Sequence, residues 1–157
     1  MHTHAKLIDV LYEGVWHATS VERFKAIMVD GFIRVRPPLH QYPNTFCQYT
    51  GRVSLFDFRE APGLFDAIER GLWLGFSDGI PGGHVVFLQV DPGLPVPTAA
   101  SLVDEFNEAR SRPPTGVGGS RLIAGLETGY TADIPIERVV RTFVWEPNGN
   151  TFSDVVK

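Results

Sequence analysis

His17 and Glu127 are the two side chains whose setting in the sequence suggests chemistry. His17 stands in Val15-Trp16-His17-Ala18-Thr19-Ser20, where an apolar stretch runs into a capped helix. An imidazole at such a corner lies beside the free N–H groups and the positive end of the helix. That combination suits a ligand carrying phosphates or ribose hydroxyls. Glu127 follows Leu122-Ile123-Ala124-Gly125-Leu126, an apolar run that reads as a strand ending at the carboxylate. Burying an unpaired carboxylate is costly, so its place at the end of the run predicts the rim of a cleft. Each residue has an alternative: a histidine satisfied by backbone, and an exposed strand end.

Other candidates are weaker. Arg34 and Arg36 flank Val35 and would point the same way from a strand, either clamping phosphates or lining a solvated edge. The single Cys47 excludes an internal disulfide and any multi-cysteine zinc site. It has no sequence neighbour that would lower its pKa, so it reads as a small, half-buried loop side chain. The pair His2 and His4 lacks a nearby third ligand, and no metal is expected. The run Gly116-Val117-Gly118-Gly119 neither follows a strand nor opens a helix, which a dinucleotide or phosphate-loop fingerprint requires.

The elements that must position these residues follow from pattern. Residues 10–16 read as a strand. Thr19 and Glu22 form a capping box, and Val21, Phe24, Ile27 and Met28 make one helical face. Asp30-Gly31 ends that helix with a left-handed glycine. A strand is expected over 32–35, then a loop to Gly51. Val53, Leu55 and Asp57 alternate with Ser54, Phe56 and Phe58 as a strand. A short helix is expected at 62–70, a turn at 75–83 and a strongly apolar strand at 84–90. Thr98 caps a helix with Leu102, Val103, Phe106 and Ala109 on one face. A flexible loop is expected at 112–120, a strand at 122–127, a turn at 133–137 and a last strand at 139–145. This predicts about six strands and three helices in one α+β domain.

Composition sets the outer limits. The chain has 157 residues, enough for one domain with a real core. Sixteen Gly and twelve Pro are more breakers than a helical bundle carries. The net charge of −4 gives no overall attraction to a phosphate backbone. No charged segment followed by an apolar one opens the sequence, and no apolar run approaches the roughly 20 residues of a membrane span. A cytoplasmic chain with no membrane contact is expected.

Three stretches, taken in order, resemble ADP-ribosyltransferase-like domains. Val15-Trp16-His17-Ala18-Thr19-Ser20, a helix, and Asp30-Gly31-Phe32-Ile33 resemble the family's opening strand, with its His-x-Thr triplet, and the following helix closed by a Gly-Phe-Ile turn. The segment Arg52-Val53-Ser54-Leu55-Phe56-Asp57-Phe58 looks like the strand that floors the nicotinamide pocket. Leu126-Glu127, followed by Asp133-Ile134-Pro135-Ile136-Glu137-Arg138-Val139, is similar to the late segment in which a catalytic Glu precedes an Ile-Pro turn and a closing strand. The DNA-modifying toxin branch and the RNA 2′-phosphotransferases are the relatives it most resembles.

The resemblance implies two small packed sheets with a split NAD cleft, and ADP-ribosyl transfer from NAD to a nucleic acid or protein. In that reading Glu127 is catalytic, and His17, Thr19 and Ser54 hold the cofactor. Arg34 or Arg36 would take its pyrophosphate. Tyr49, or else Phe56 or Phe58, would stack on nicotinamide. An antitoxin or regulator protein would be a further partner. Two alternatives stand beside it. One is NAD-dependent removal of an RNA 2′-phosphate, which would recruit Arg34, Arg36, Arg52 and Arg121. The other is a non-catalytic nucleotide- or partner-binding module using exposed aromatics between Phe46 and Phe58.

Overall fold

The computed structural model describes residues 5–37, 45–59, 83–111 and 121–155. Among them the chain is α+β, with a six-stranded antiparallel sheet, a two-stranded sheet and four α-helices. The helices are α1 (Ala5–Leu11), α2 (Val21–Asp30), α3 (Phe46–Tyr49) and α4 (Ala99–Arg110). The strands are β1 (Val15–Ser20), β2 (Phe32–Ile33), β3 (Val53–Asp57), β4 (Val85–Val90), β5 (Glu127–Tyr130), β6 (Ile134–Pro135), β7 (Val139–Glu146) and β8 (Thr151–Asp154). The large sheet runs β5-β3-β1-β4-β7-β8, and β2 pairs with β6. The expected pair of small packed sheets is thus one large sheet and one ribbon of two short strands. The helix at 62–70, most of the turn at 75–83, the loop at 112–120, and His2 and His4 lie outside the described residues.

The sheet carries core on both faces, which explains the apolar run of β4. Val85 and Phe87 join Leu7, Leu11, Trp16, Phe143 and Trp145 on one side. Val86, Leu88 and Val90 join Val15, Ile33, Leu55 and Ile134 on the other. On the first side Trp16 meets Phe143 edge-on at 5.3 Å between ring centroids, and Phe87 stacks on Phe143 at 5.2 Å. Such ring pairs add about 1 kcal/mol each beyond their buried area.

Local chemistry sets the ends of the elements. Residues 5–11 form a helix because Leu7 and Leu11 fall one turn apart and both bury. The strand expected over 10–16 therefore starts only at Val15. Ser20, not Thr19, caps α2 by accepting from the Arg23 N–H. Thr19 is still in β1, paired with Val86. Gly31 closes α2 at φ 83°. Thr98 caps α4, accepting from the Ser101 N–H at 3.1 Å. Asp57, buried at the end of β3, accepts from the Ala99 N–H and holds Arg59 at 2.9 Å. This ties the start of α4 to β3. Residues 122–126 form no strand, and 124–126 are a turn. Gly125 adopts φ 81° there, and Ile123 O accepts from both Leu126 N and Glu127 N. β8 lies beyond the last expected strand and pairs with β7. None of the helices among the described residues is long and apolar enough to cross a membrane.

Candidate active site

The β1–β3 ladder holds only Val15↔Asp57 and Trp16↔Phe56. Beyond those pairs β1 continues against β4 as far as Ser20↔Val85. β3 continues against β5 as far as Val53↔Tyr130. The two strands part in mid-sheet, so backbone groups on their facing edges need other partners. His17 is the first residue of β1 past the last pair. Its Nδ1 lies 3.0 Å from the Ser54 carbonyl oxygen. A carbonyl only accepts, so Nδ1 carries the proton and donates. Nε2 is left as an acceptor and has no hydrogen-bond partner among the described residues. Burial pulls the His17 pKa down to about 4, against the Ser54 carbonyl, and Arg23 lowers it further. The ring is neutral at pH 7. His17 therefore sits inside β1, not at its end, and is a hydrogen-bond acceptor toward any ligand.

Glu127 opens β5 instead of closing a strand. Cross-strand pairs place Glu127, Phe56, Trp16 and Gln89 in one row across four strands, and paired residues share a face. The carboxyl is inside the protein and not on a rim, with Glu127 only 6% exposed. Burial pushes its pKa up to about 7, while a backbone hydrogen bond from Ile123 and the Cys47 thiol oppose the rise. At neutral pH this carboxyl is poised between its two protonation states, the condition that suits a group meant to take a proton.

Cys47 is the residue that sequence reasoning missed. Thr45 caps α3 by accepting from the Gln48 N–H, and α3 packs Phe46 and Cys47 against Leu102 and Phe106 of α4. Cys47 Sγ then lies 3.8 Å from Glu127 Oε2 and 3.5 Å from the Thr128 carbonyl oxygen. Burial first, and the Glu127 charge second, raise this thiol well above its ordinary range. Cys47 is a donor and not a thiolate nucleophile. Gly129 makes the room: a Cβ there would stand 2.9 Å from Cys47 Sγ and 2.9 Å from Cβ and Cδ of Arg52. Arg52 pairs with Glu105 at 2.7 Å. Cys47 and Glu127 are 80 positions apart, and no spacing in the sequence links them.

The register puts Glu127 and Ser54 on the Trp16 face of the sheet, where Cys47 lies against Glu127, and His17 on the opposite face with Leu88, joined to β3 through the Ser54 carbonyl. Thr19, two residues from His17 and on the same side of β1, is buried, with no hydrogen-bond partner for its Oγ1 among the described residues. The remaining candidates stand apart. Arg34 is committed to carboxylates: Nε and Nη2 bind Asp30 at 2.6 and 2.8 Å, and Nη1 binds Asp133 at 2.9 Å. Those bonds raise the Arg34 pKa and hold Asp30 below its usual range; the Val35 N–H first, and Arg34 second, hold Asp133 below its own. The strand of which Arg34 was expected to be part ends at Ile33, and Arg36 is exposed. Tyr49 is 45% exposed. It follows Cys47 by two residues, about 200° around a helix, and so faces away from Glu127. The aromatic patch expected between Phe46 and Phe58 is largely core, since Phe46, Phe56 and Phe58 are all buried. No protein-family model and no curated protein matches this sequence.

Proposed function

We propose that the protein is an ADP-ribosyltransferase that uses NAD as co-substrate and modifies a macromolecular acceptor. One observation carries this reading: a buried carboxyl, Glu127, stands in the last row before β1 and β3 part, and a neutral histidine on the other face of β1 bonds across the opening. NAD would supply a nicotinamide–ribose bond whose cleavage builds positive charge on the ribose, as in glycoside cleavage. An ionised Glu127 stabilises that charge, and its pKa near 7 lets it accept a proton from an attacking hydroxyl or amine.

His17 narrows what can bind beside it. Nε2 is a lone-pair acceptor, so it takes a hydrogen bond from a ribose hydroxyl and has no proton to offer a phosphate oxygen at neutral pH. The Thr19 hydroxyl, without a partner among the described residues, supplies a second polar atom on the same side of β1. Removal of an RNA 2′-phosphate is supported less well. Two of the cations it would recruit, Arg34 and Arg52, are already neutralised by Asp30, Asp133 and Glu105. A purely aromatic docking module is supported less well because those rings are in the core.

The test is nicotinamide release from NAD by the purified protein, alone and with DNA, RNA or cell lysate. Release that falls at least about a hundredfold in Glu127→Gln is the expected result. Release in the same amount from that variant would remove Glu127 from the mechanism. A folded protein that releases none under any condition would overturn the reading.

A further inference from the structure

Glu127 has few groups around it that can answer a change in its charge. From α3 comes the Cys47 thiol. From the turn before β3 comes Arg52, its charge matched by Glu105 of α4. β1 contributes Trp16 to the row and the neutral His17, which is held at Ser54. The Ile123 backbone N–H also bonds the carboxyl but cannot turn away; among the side chains of the described residues, Cys47 is the one that donates to it. The thiol has one proton and two acceptors, Glu127 Oε2 at 3.8 Å and the Thr128 carbonyl at 3.5 Å. It cannot donate fully to both. The sulfur is seated there by construction: Cys47 is 1% exposed, and Gly129 leaves the space that a Cβ would take.

We propose that Cys47 is a positioning residue for Glu127, whose thiol proton turns to Oε2 when the carboxyl is ionised and to the Thr128 carbonyl when it is protonated. The thiol supplies a donor to the charged form without burying a fixed charge beside it. When the carboxyl regains its proton, the S–H keeps a partner. A hydroxyl in the same place would be a stronger donor and would favour the ionised form more. A methyl would favour the neutral form. In catalytic terms, resting on the ADP-ribosyltransferase reading, Cys47 sets the pH at which Glu127 becomes competent.

Cys47 is the only cysteine in the chain, so the S–H infrared band of the unlabelled full-length protein reports this group alone. The band is recorded across the Glu127 titration, in wild type and in Glu127→Gln. Carboxyl NMR of labelled glutamate follows Glu127 in wild type, Cys47→Ser and Cys47→Ala. The expected result is an S–H band with two positions whose ratio follows the Glu127 midpoint, and a single position in Glu127→Gln. Cys47→Ala should raise the midpoint by about one pH unit, the scale of one hydrogen bond to a charged group, and Cys47→Ser should lower it. A band that ignores the titration overturns the proposal, and needs no substitution to be seen. An unmoved midpoint in a folded Cys47→Ala overturns it as well. If NAD is turned over, the kcat–pH profile should move with the NMR midpoint while KM stays fixed. Absence of nicotinamide release would sink the functional reading and leave the infrared result intact.

Discussion

The His17 imidazole and the Ser54 carbonyl, 3.0 Å apart from Nδ1 to oxygen, join β1 to β3 just where their ladder has ended. A ring nitrogen stands in for the backbone N–H that a continuing strand would have offered. Two consequences follow from the one bond: the tautomer is fixed, and Nε2 is held out as an acceptor. Burial, which the bond opposes, keeps the ring neutral. The opening is therefore a feature of the fold with its own hydrogen-bond accounting, and not a frayed edge.

The neutrality of the ring can be measured without any ligand. The His17 pKa is about 4 in the fold against an ordinary 6.5. A depressed pKa gives stability that is complete above pH 6.5 and is lost as pH falls through about 4, because the unfolded chain binds the proton first. His17→Asn keeps a donor near the position of Nδ1 and cannot titrate. Denaturant melts across that window should show about 3 kcal/mol less acid-dependent loss in the variant. Parallel curves for the two proteins would mean that His17 is not neutral in the fold.

Glu127 acts in the opposite direction. Its pKa is raised from an ordinary 4.5 to about 7, so its contribution is complete below pH 4.5 and is lost as pH rises through about 7. Ionising a buried carboxyl is what the fold resists. Glu127→Gln should therefore be more stable than wild type above pH 7, by about 3 kcal/mol at ~1.4 kcal/mol per pKa unit, and close to it at pH 4.5. A variant that is more stable yet inactive is the pattern of a group kept for function at a cost to the fold. Equal stability at every pH would indicate a solvated carboxylate instead.

The same titration bears on rate. An ionised Glu127 is the form that stabilises positive charge on a ribose. Nicotinamide release should rise with pH through about 7 and then level, and the rising limb should be absent from the residual activity of Glu127→Gln. A rate that falls over that range would assign the protonated carboxyl as the working form.

The site was half legible in the sequence. The helices α2 and α4 could be read because their caps and glycine stop are local devices, and they needed only a one-residue shift from Thr19 to Ser20. The strands β3, β4 and β7 could be read from apolar patterning. Residues 122–126 misled because an apolar run looks like a strand until Gly125 takes a positive φ, which no periodicity reveals. β8 was passed over, although Asn148-Gly149 is a hairpin turn signal, because Phe152 is its only large apolar residue. What could not be read at all is long-range. Cys47 meets Glu127 only because β5 lies beside β3 and α3 folds back over Gly129, and Arg34 is removed from the site by Asp133, 99 positions away.

Asp57 should prove the strongest single structural contact in the vicinity of the site. Its carboxylate is 1% exposed, with oxygens at 3.0 Å from the Ala99 N–H, 3.0 Å from the Arg59 N–H and 2.9 Å from Arg59 Nε. Asp57→Ala would leave the Ala99 N–H buried without a partner at the start of α4 and remove the anchor of Arg59. Breaking a buried, hydrogen-bonded ion pair from one side costs about 3–5 kcal/mol. Because α4 also supplies Glu105 to Arg52 and packs on Cys47, loosening its start should reach the Glu127 pocket. Hydrogen exchange should therefore quicken in α4 and β5 together, before it changes in the β7–β8 hairpin. A variant that loses less than about 1 kcal/mol, with exchange unchanged in β5, would mean that α4 is held by its packing alone.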